Sequence, residues 1–333
     1  MTHILHLGHQ ATDIAGISGL ISTAAGGFDD TLDVNAIRFS GTRSLVSPFS
    51  ASFRAPAGDL WLGFRYVAPS ADAASIAESG ANFLEFFDAD NQRMAQVRPD
   101  PATNRYHAVA HGDASVQGAS SYTAASGQAQ WIDVRLAVGA EIAIEFHVDG
   151  ALHSAASAAN TAGRGKPVHC VFANAGLHGH TSSSRTWYYA HIAVLDGVST
   201  IGRRFVRRSP NAVASYNQLA GGIEALKDGD IATRVASDAA GQRLSFSLTG
   251  PSGPAAGTTV AGVHLRQIAQ AGTSGPQATA GFLRLGGVDH DAAPVQVSPL
   301  RPEAVVSSWA VNPADASPWS DLSLPTEVGI VSA

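Results

Sequence analysis

Acidic residues that stand close together are the first candidates for chemistry in this sequence. The segment 84–90 contains three carboxylates, those of Glu85, Asp88 and Asp90. Retaining hydrolysis of a glycosidic bond uses two carboxyl groups roughly 5.5 Å apart. Glu85 and Asp88 are three positions apart, so on a strand they would point to opposite faces. Asp88 and Asp90 share a face only if the strand continues, whereas the polar sequence 88–92 predicts a turn.

A second acidic group lies in the alternating segment 144–149. Glu145, His147 and Asp149 fall on one face of the strand that this alternation predicts. In an antiparallel sheet, a polar face of this kind is commonly the solvated one. Because neither group forms a suitable catalytic pair, we expect a protein that is not an enzyme, and a glycanase is the third alternative for its function.

Two motifs have the residue types of metal ligands. His178 and His180 form a His-x-His pair, but no Cys or carboxylate stands near them in sequence to complete four ligands, even with His169 or His191 as a third. The turn 289–291, Asp-His-Asp, has oxygen ligands suited to Ca²⁺. Asp-rich turns more often bond their own backbone, so we expect neither a metal nor a cofactor.

Polar loops remain the expected place for contact with a ligand. Trp61, Trp131 and Trp187 stand in alternating segments, where large aromatics are expected in the core rather than as platforms for sugar rings. The sequence therefore predicts ligand contacts from five loop residues: Asp88, Asp90, Asn91, His178 and His180.

A short basic segment contains Arg203, Arg204, Arg207 and Arg208, with Phe205 between the two pairs. It could contact phosphate or polysaccharide. Arginine is also well suited to ion pairs at interfaces, so a contact between domains or subunits is the preferred interpretation. Binding of DNA would require a broader basic stripe.

The composition narrows the classes of function. Only 14% of the 333 residues are charged, against roughly 25% in ordinary soluble proteins. A surface with so few charges is typical of a protein that packs against copies or neighbours, and a homo-oligomer is expected. The net charge of −6 provides no global field for nucleic acid. The sequence shows no secretory leader pattern and no apolar run of membrane-spanning length. We therefore expect a protein that is not secreted through a leader and does not insert into a membrane.

Alternation of apolar and polar residues dominates the sequence. It is clear in 60–67, 131–136 and 142–148, each rich in β-branched or aromatic residues. The polar segment 88–92 and the pair Asp149-Gly150 predict hairpin turns. Short strands at regular spacing predict an all-β fold, an N-terminal sandwich followed by a smaller C-terminal β-sandwich. We expect an N-terminal segment at 1–30 (an anchor or an extra strand), a first domain at 31–200 and a second at 201–333.

The first domain resembles concanavalin-A-like and laminin-G-like jelly rolls. The resemblance is carried by the following segments: Trp61–Tyr66, Phe83–Val97, Trp131–Leu136, Ile144–Gly150 and Tyr189–Asp196. It implies a jelly-roll sandwich whose loops are the expected binding sites.

The second domain is similar to a module found after such jelly rolls in structural proteins of tailed bacteriophages. The landmarks are, in order, Ser215–Leu219, Asp228–Asp230, Val235–Ser237, Leu285–Asp291, Trp309–Trp319 and Val328–Ile330. The two tryptophans at 309 and 319 are expected in the core. The resemblance implies a virion component of the tail or head surface, assembled in the host cytoplasm, with other virion proteins and host surface polysaccharide as partners. The alternative is a carbohydrate-binding module of a secreted or surface protein.

Overall fold

The fold consists almost entirely of β-strands. A computed structural model describes residues 4–8, 13–15, 21–29, 33–41, 49–67, 83–100, 105–123, 128–172, 185–227, 232–250, 259–320 and 323–333. Within these ranges the helical elements are one-turn 3-10 segments such as Ile223–Leu226, and none of the described helices is long and apolar enough to cross a membrane. The predicted all-β class is confirmed.

The chain forms two compact units, His3–Phe205 and Val206–Ala333. The strands of the first unit are β1 (Ile4–Gly8), β2 (Ile21–Asp29), β3 (Asp33–Gly41), β4 (Phe49–Ser52), β5 (Leu60–Val67), β6 (Leu84–Phe87), β7 (Arg93–Asp100), β8 (Arg105–His111), β9 (Ser115–Gln117), β10 (Ala129–Val138), β11 (Glu141–Val148), β12 (Ala151–Ala159), β13 (His169–Phe172) and β14 (Arg185–Asp196).

Two antiparallel sheets make up the first unit. Sheet A has eight strands in the order β12-β11-β10-β5-β14-β3-β2, with β1 also paired to β14. Sheet B has six strands in the order β4-β13-β6-β7-β8-β9. The N-terminal segment thus contributes β1 and β2 to sheet A. This pairing of a larger and a smaller sheet is the predicted jelly-roll sandwich.

The core lies between the two sheets and follows the two-residue alternation of the strands. On β10, the apolar side chains of Ile132, Val134 and Leu136 are buried in it, because successive side chains on a strand point to opposite faces. Aromatic rings fill its centre, where the rings of Phe49 and Phe172 stack at 4.7 Å between centroids. The thiol of Cys170 is buried in the same core, and this burial raises its pKa to about 12.

Both hairpin predictions are confirmed. Strands β6 and β7 pair across the turn 88–92, and β11 and β12 pair across Asp149-Gly150. Asp149 and Gly150 have φ angles of 49° and 83°, and two successive positive φ angles are the mark of a type I′ turn.

The second unit is a smaller sandwich. Its strands are β15 (Ser209–Asn217), β16 (Arg243–Thr249), β17 (Val263–Ala269), β18 (Ala278–Leu285), β19 (Val288–Asp291), β20 (Val295–Gln296), β21 (Glu303–Trp309) and β22 (Glu327–Ser332). Sheet C has the order β15-β16-β22-β18-β19, with β20 also paired to β18, and β17 pairs with β21 in a two-stranded sheet. The two layers approach closely at Gly281, where a Cβ atom would lie 2.9 Å from the hydroxyl of Ser307.

The expected core positions of Trp309 and Trp319 are confirmed. Both are buried in the core of the second unit, and the indole Nε1 of Trp319 donates a hydrogen bond of 2.8 Å to the carbonyl oxygen of Trp309. The final apolar run forms β22, which lies in the middle of sheet C between β16 and β18. The landmark 228–230 lies outside the described residues.

Candidate functional site

The outward surface of β7, β8 and β9 in sheet B carries a group of polar side chains. Val97, Tyr106 and Ala108 point into the core, so their neighbours along the strands point outward. Arg98 lies opposite His107, and Gln96 and Gln117 both lie opposite Val109. We call the surface formed by Gln96, Arg98, His107 and Gln117 the polar face.

His107 is held in one tautomer on the polar face. Its Nδ1 is 2.7 Å from the carbonyl oxygen of Gly118. Because a carbonyl oxygen only accepts hydrogen bonds, Nδ1 carries the proton and Nε2 of the neutral ring is an acceptor. The residue is 7% exposed, and Nε2 has no hydrogen-bond partner among the described residues. The carboxylate of Asp100 lies 3.7 Å from it, beyond the range of a hydrogen bond.

Gln96 presents a second buried acceptor. The residue is 3% exposed, and within the described part of the chain its Oε1 has no hydrogen-bond partner. Gln96 and His107 are diagonal neighbours across β7 and β8, and such pairs are roughly 7 Å apart between Cβ atoms or closer. Buried polar atoms without partners are uncommon in folded proteins, and two of them lie side by side on this face, which makes it a candidate binding surface.

Arginines supply donors around these acceptors. Arg98 donates from Nε and Nη2 to Oε1 of Gln117, at 3.1 and 2.5 Å. Arg93 forms an ion pair of 2.7 Å with Glu85. Burial, and then the charges of Arg93, Arg164 and Arg98, lower the pKa of His111 to about 4. The face therefore combines two vacant acceptors with guanidinium donors, which is a suitable arrangement for a ligand rich in hydroxyl groups.

The predicted ligand residues in the β6–β7 turn have structural roles there. The Asp88 carboxylate accepts hydrogen bonds from the backbone N–H groups of Asp90 and Gln92, at 3.1 and 2.8 Å. Asn91 has a positive φ of 58°, which Asn tolerates better than most residues. Asp90 and Asn91 are exposed. Ligand contact by Asp88, Asp90 and Asn91 stays a prediction, and His178 and His180 lie outside the described residues.

The acidic turn considered for Ca²⁺ is engaged in ion pairs. Arg243 contacts both carboxylate oxygens of Asp291, at 2.8 and 2.7 Å, and Asp289 accepts a hydrogen bond from Arg284. No group of three or more His, Cys, Asp or Glu side chains in the described part of the chain could hold a metal ion.

Two of the three tryptophans expected in the core of the first domain, Trp61 and Trp131, lie outside it. Trp61 and Trp131 are only partly buried, and their positions on β5 and β10 alternate with those of the core residues, so they point to the outer surface of sheet A. The core expectation for these two residues was wrong, because alternation alone does not say which face of a strand is the inner one. Only backbone pairing, to Phe39, is described for Trp187.

Arg204 of the basic segment packs against this outer surface of sheet A. The guanidinium carbon of Arg204 lies 3.5 Å from the ring centroid of Trp131, and Nη1 of Arg204 donates to the carbonyl oxygen of Arg203. Arg203 and Arg204 belong to the first unit, whereas Arg207 and Arg208 belong to the second. An intermolecular interface at these four arginines stays a prediction.

A small pocket beside Trp131 encloses a buried carboxylate. Asp133 lies between Gly63 and His147 in adjacent strands and is 1% exposed. A Cβ atom on Gly63 would lie 2.7 Å from Cβ of Thr200. Any side chain at position 63 would therefore clash with Thr200, and only glycine fits there. Burial raises the pKa of Asp133, and the Thr200 hydroxyl opposes this shift. The pocket holds at most about one water molecule, which is too small for a sugar.

Glu145, the acidic candidate on β11, is also engaged in ionic contacts. Glu145 pairs with Arg135 at 2.7 Å and lies 3.3 Å from Nε2 of His147. Arg135 also contacts Asp59 at 2.8 Å. These contacts link β10 and β11 to the residue that precedes β5, so Glu145 has a structural role.

Sequence reasoning missed Gln96, Arg98 and His107. The only signal was the alternation of β7 and β8, in which polar residues recur at every second position. Alternation predicts a polar outer face, but it cannot show that two of these side chains are buried with an acceptor atom unpaired.

Comparisons with known proteins found solved structures of low similarity. No protein-family model matches the sequence, and no curated protein is significantly similar to it. A structure of the cellulose-induced protein Cip1 is 12% identical with a TM-score of 0.40, and the match covers 58% of this chain and 92% of Cip1. An endo-β-1,4-glucuronan lyase from the fungus Trichoderma reesei is 13% identical with a TM-score of 0.41, covering 58% and 94% of the two chains.

A carbohydrate esterase of the Shiga toxin-encoding bacteriophage phi24B is 11% identical with a TM-score of 0.39, covering 59% of this chain and 99% of the esterase. At these identities the likeness concerns the fold alone. The inclusion of a lyase and an esterase contradicts the expectation that the chain is not an enzyme, and that expectation is withdrawn. Its reasoning was too narrow, because a missing carboxylate pair argues against one mechanism of glycoside hydrolysis only.

Proposed function

We propose that the first unit is a polysaccharide-binding jelly roll and that the polar face of sheet B is its contact surface. One observation carries the proposal: Oε1 of Gln96 and Nε2 of His107 are buried acceptors without partners in the described part of the chain, side by side on one face. Sugar hydroxyl groups are donors of the required kind. Leaving a buried polar atom unpaired costs about 1–3 kcal/mol, and a bound hydroxyl would recover part of this cost.

The neighbouring side chains support binding of an extended ligand. Arg98 and Gln117 are exposed beside the two acceptors and offer further donors. Strands β7 and β8 run for eight and seven residues, which corresponds to more than 20 Å at roughly 3.3 Å per residue. A surface of this length can contact several sugar units in succession.

Two variants of the full chain test the proposal. Gln96→Leu removes the unpaired acceptor while nearly conserving volume, and His107→Asn can keep a donor near Nδ1 while removing Nε2. Both are expected to weaken binding at least tenfold in calorimetric titration with polysaccharides that the unaltered chain binds. Gln267→Leu, in the second unit, is the matched control and should bind normally.

The outcome separates binding from structural roles. Unchanged affinity in both variants, with the fold intact by circular dichroism, would refute the proposed surface. Size-exclusion analysis of the same polysaccharides after incubation shows whether the bound chain is also cleaved.

A location on a virion is a finer proposal that rests on the second unit. Its support is the resemblance of the 201–333 landmarks to modules of tailed bacteriophages, above all the segment Trp309–Trp319. Host surface polysaccharide would then be the ligand, and other virion proteins and further copies of this chain the partners. Immunogold labelling of purified particles tests the location, and light scattering tests self-association. Particles without label would reject it in favour of a secreted or surface carbohydrate-binding module.

A further inference from the structure

We infer that the ligand of the polar face is an acidic polysaccharide, recognised through its carboxylate or sulfate groups by Arg98, Arg105 and Arg164. This inference rests on the proposed function and specifies the class of sugar chain.

The three arginines hydrogen-bond to neutral oxygens. Arg98 donates to the amide of Gln117, and Arg105 donates to the carbonyl oxygen of Ser120 at 3.1 Å. Arg164 donates to the carbonyl oxygens of Arg93 and His111, at 2.9 and 3.0 Å. None of the ion pairs resolved within the described ranges involves these three guanidinium groups. Among the described residues, no carboxylate forms an ion pair with these three groups, although the charge of Arg164 contributes to lowering the pKa of Asp113.

The acidic residues of the surface are engaged with other groups. Glu85 pairs with Arg93 at 2.7 Å, and Asp113 accepts hydrogen bonds from the hydroxyl and the backbone N–H of Thr161, at 2.6 and 3.0 Å. Asp100 lies near His107. This local excess of positive charge stands on a chain whose net charge is −6, so it is a property of this surface and not of the whole protein.

The positive charge of this surface also acts on the nearby His111. After burial, the causes that lower its pKa are the charges of Arg93, Arg164 and Arg98. Three guanidinium groups therefore act together at one point of the surface. A ligand carrying negative charge would reduce the repulsion among them, whereas a neutral sugar chain would leave it unchanged.

The positions of the arginines fit a chain of repeating anionic groups. Arg105 lies opposite Asp100, and Arg98 lies opposite His107, two residues further along the same pair of strands. Arg164 donates to the carbonyl oxygen of Arg93, and Arg93 begins β7, five residues or roughly 16 Å of extended strand before Arg98. The guanidinium group also matches the planar carboxylate and the sulfate in hydrogen-bond geometry.

A sugar polyanion fits this surface better than a nucleic acid. Single-stranded nucleic acids bind by stacking their bases on aromatic side chains. The described outward positions of β7, β8 and β9 contain no Phe, Tyr or Trp. They contain amide and imidazole groups instead, which pair with hydroxyl groups.

The test compares polymers that differ only in charge. The full chain is titrated with polygalacturonate and alginate, each against its carboxyl-reduced counterpart, and with dextran sulfate against dextran. An oligonucleotide of similar length is titrated in parallel. We expect at least tenfold tighter binding of an acidic polymer than of its neutral counterpart, and weaker binding as salt rises from 50 to 500 mM, because salt screens exposed charges. Preference for the carboxylated or the sulfated pair identifies the anionic group.

Arginine variants locate the effect. Arg98→Gln and Arg105→Gln are each expected to reduce affinity for the acidic polymer about threefold or more, while Arg98→Lys retains part of it. Arg301→Gln, an exposed arginine of the second unit, is the control and should have no effect. Thermal unfolding confirms that each variant is folded.

Each result has one consequence. Equal affinity for acidic and neutral polymers would overturn this inference and leave the proposed function standing. Equal or tighter binding of the oligonucleotide would overturn it in favour of a nucleic-acid ligand. If none of the polysaccharides binds, the proposed function itself fails.

Discussion

Nδ1 of His107 donates a hydrogen bond of 2.7 Å to the carbonyl oxygen of Gly118. This contact joins β8 to the residue after β9 and fixes which ring nitrogen carries the proton. It leaves Nε2, the atom proposed to bind sugar, as a buried acceptor. The same side chain thus has a structural atom and a proposed binding atom, and substitutions can separate the two roles.

We predict that His107→Ala and His107→Asn differ in stability. Alanine loses the hydrogen bond to Gly118 and leaves a cavity, so the free energy of unfolding should fall by about 1–3 kcal/mol. Asparagine can place an amide donor near the position of Nδ1 and should stay within about 1 kcal/mol of the unaltered chain. Urea unfolding checks both values, and equal losses would mean that the hydrogen bond contributes little.

Acid should destabilise the fold through His111. Its pKa is lowered to about 4 in the folded chain, against roughly 6.5 in an unfolded one. Between these values the unfolded state binds more protons, so this contribution is fully favourable above pH 6.5 and is lost as the pH falls toward 4. His111→Gln should flatten the dependence of the urea midpoint on pH in that window. An unchanged slope in this variant would contradict the contribution of His111.

The stacking of Arg204 on Trp131 should be measurable. The 3.5 Å distance from guanidinium carbon to ring centroid predicts that Arg204→Ala lowers the free energy of unfolding by about 0.5–2 kcal/mol. It should also change tryptophan fluorescence. The neighbouring Arg203 is exposed, so Arg203→Ala is the control and should cost less than about 0.5 kcal/mol. Equal effects would argue against the stacking interaction.

The hydrogen bond between Trp319 and Trp309 stabilises the second unit. Trp319→Phe keeps an aromatic ring but removes Nε1, leaving the carbonyl oxygen of Trp309 without this donor. The expected loss is about 1–3 kcal/mol, measured by urea unfolding. Trp61→Phe replaces a partly exposed ring of the first unit and serves as a comparison. A smaller loss for Trp319→Phe than for Trp61→Phe would contradict the role of this hydrogen bond.

Asp133→Asn is expected to stabilise the protein at neutral pH. Burial raises the pKa of this carboxyl group in the folded chain, so the charged form is disfavoured by folding. A raised pKa contributes stability below the unfolded value, roughly 3.9, and loses it as the pH rises through the folded one. The gain of the variant should therefore be present at pH 7 and vanish below pH 4 in urea unfolding. Asp90→Asn, at an exposed position, should show no such gain.

The fold could be predicted from the sequence because strand alternation and turn residues are local signals. Asp149-Gly150 specifies a type I′ turn, since both positions require positive φ angles. Trp309 and Trp319 were expected in the core, and both rings lie there. The orientation of Trp61 and Trp131 could not be predicted in this way, because the inner face of a strand is decided by the partner sheet.

The binding residues were predicted in loops, whereas the candidate site lies on strands. The carboxylate of Asp88, expected to contact ligand, accepts backbone hydrogen bonds within its turn. An aspartate at this position of a turn could contact a ligand or bond to the backbone of its own turn. Only the geometry of the structure distinguishes these two roles.

The sequence by itself determined the all-β class, the hairpins and the two sandwiches, because strand alternation and turn residues are signals that lie close together in the chain. Only the tertiary structure decided the candidate site. Gln96 and His107 stand eleven positions apart, and strand register makes them diagonal neighbours. Their burial and their unpaired acceptor atoms depend on everything packed around them, which no local pattern records.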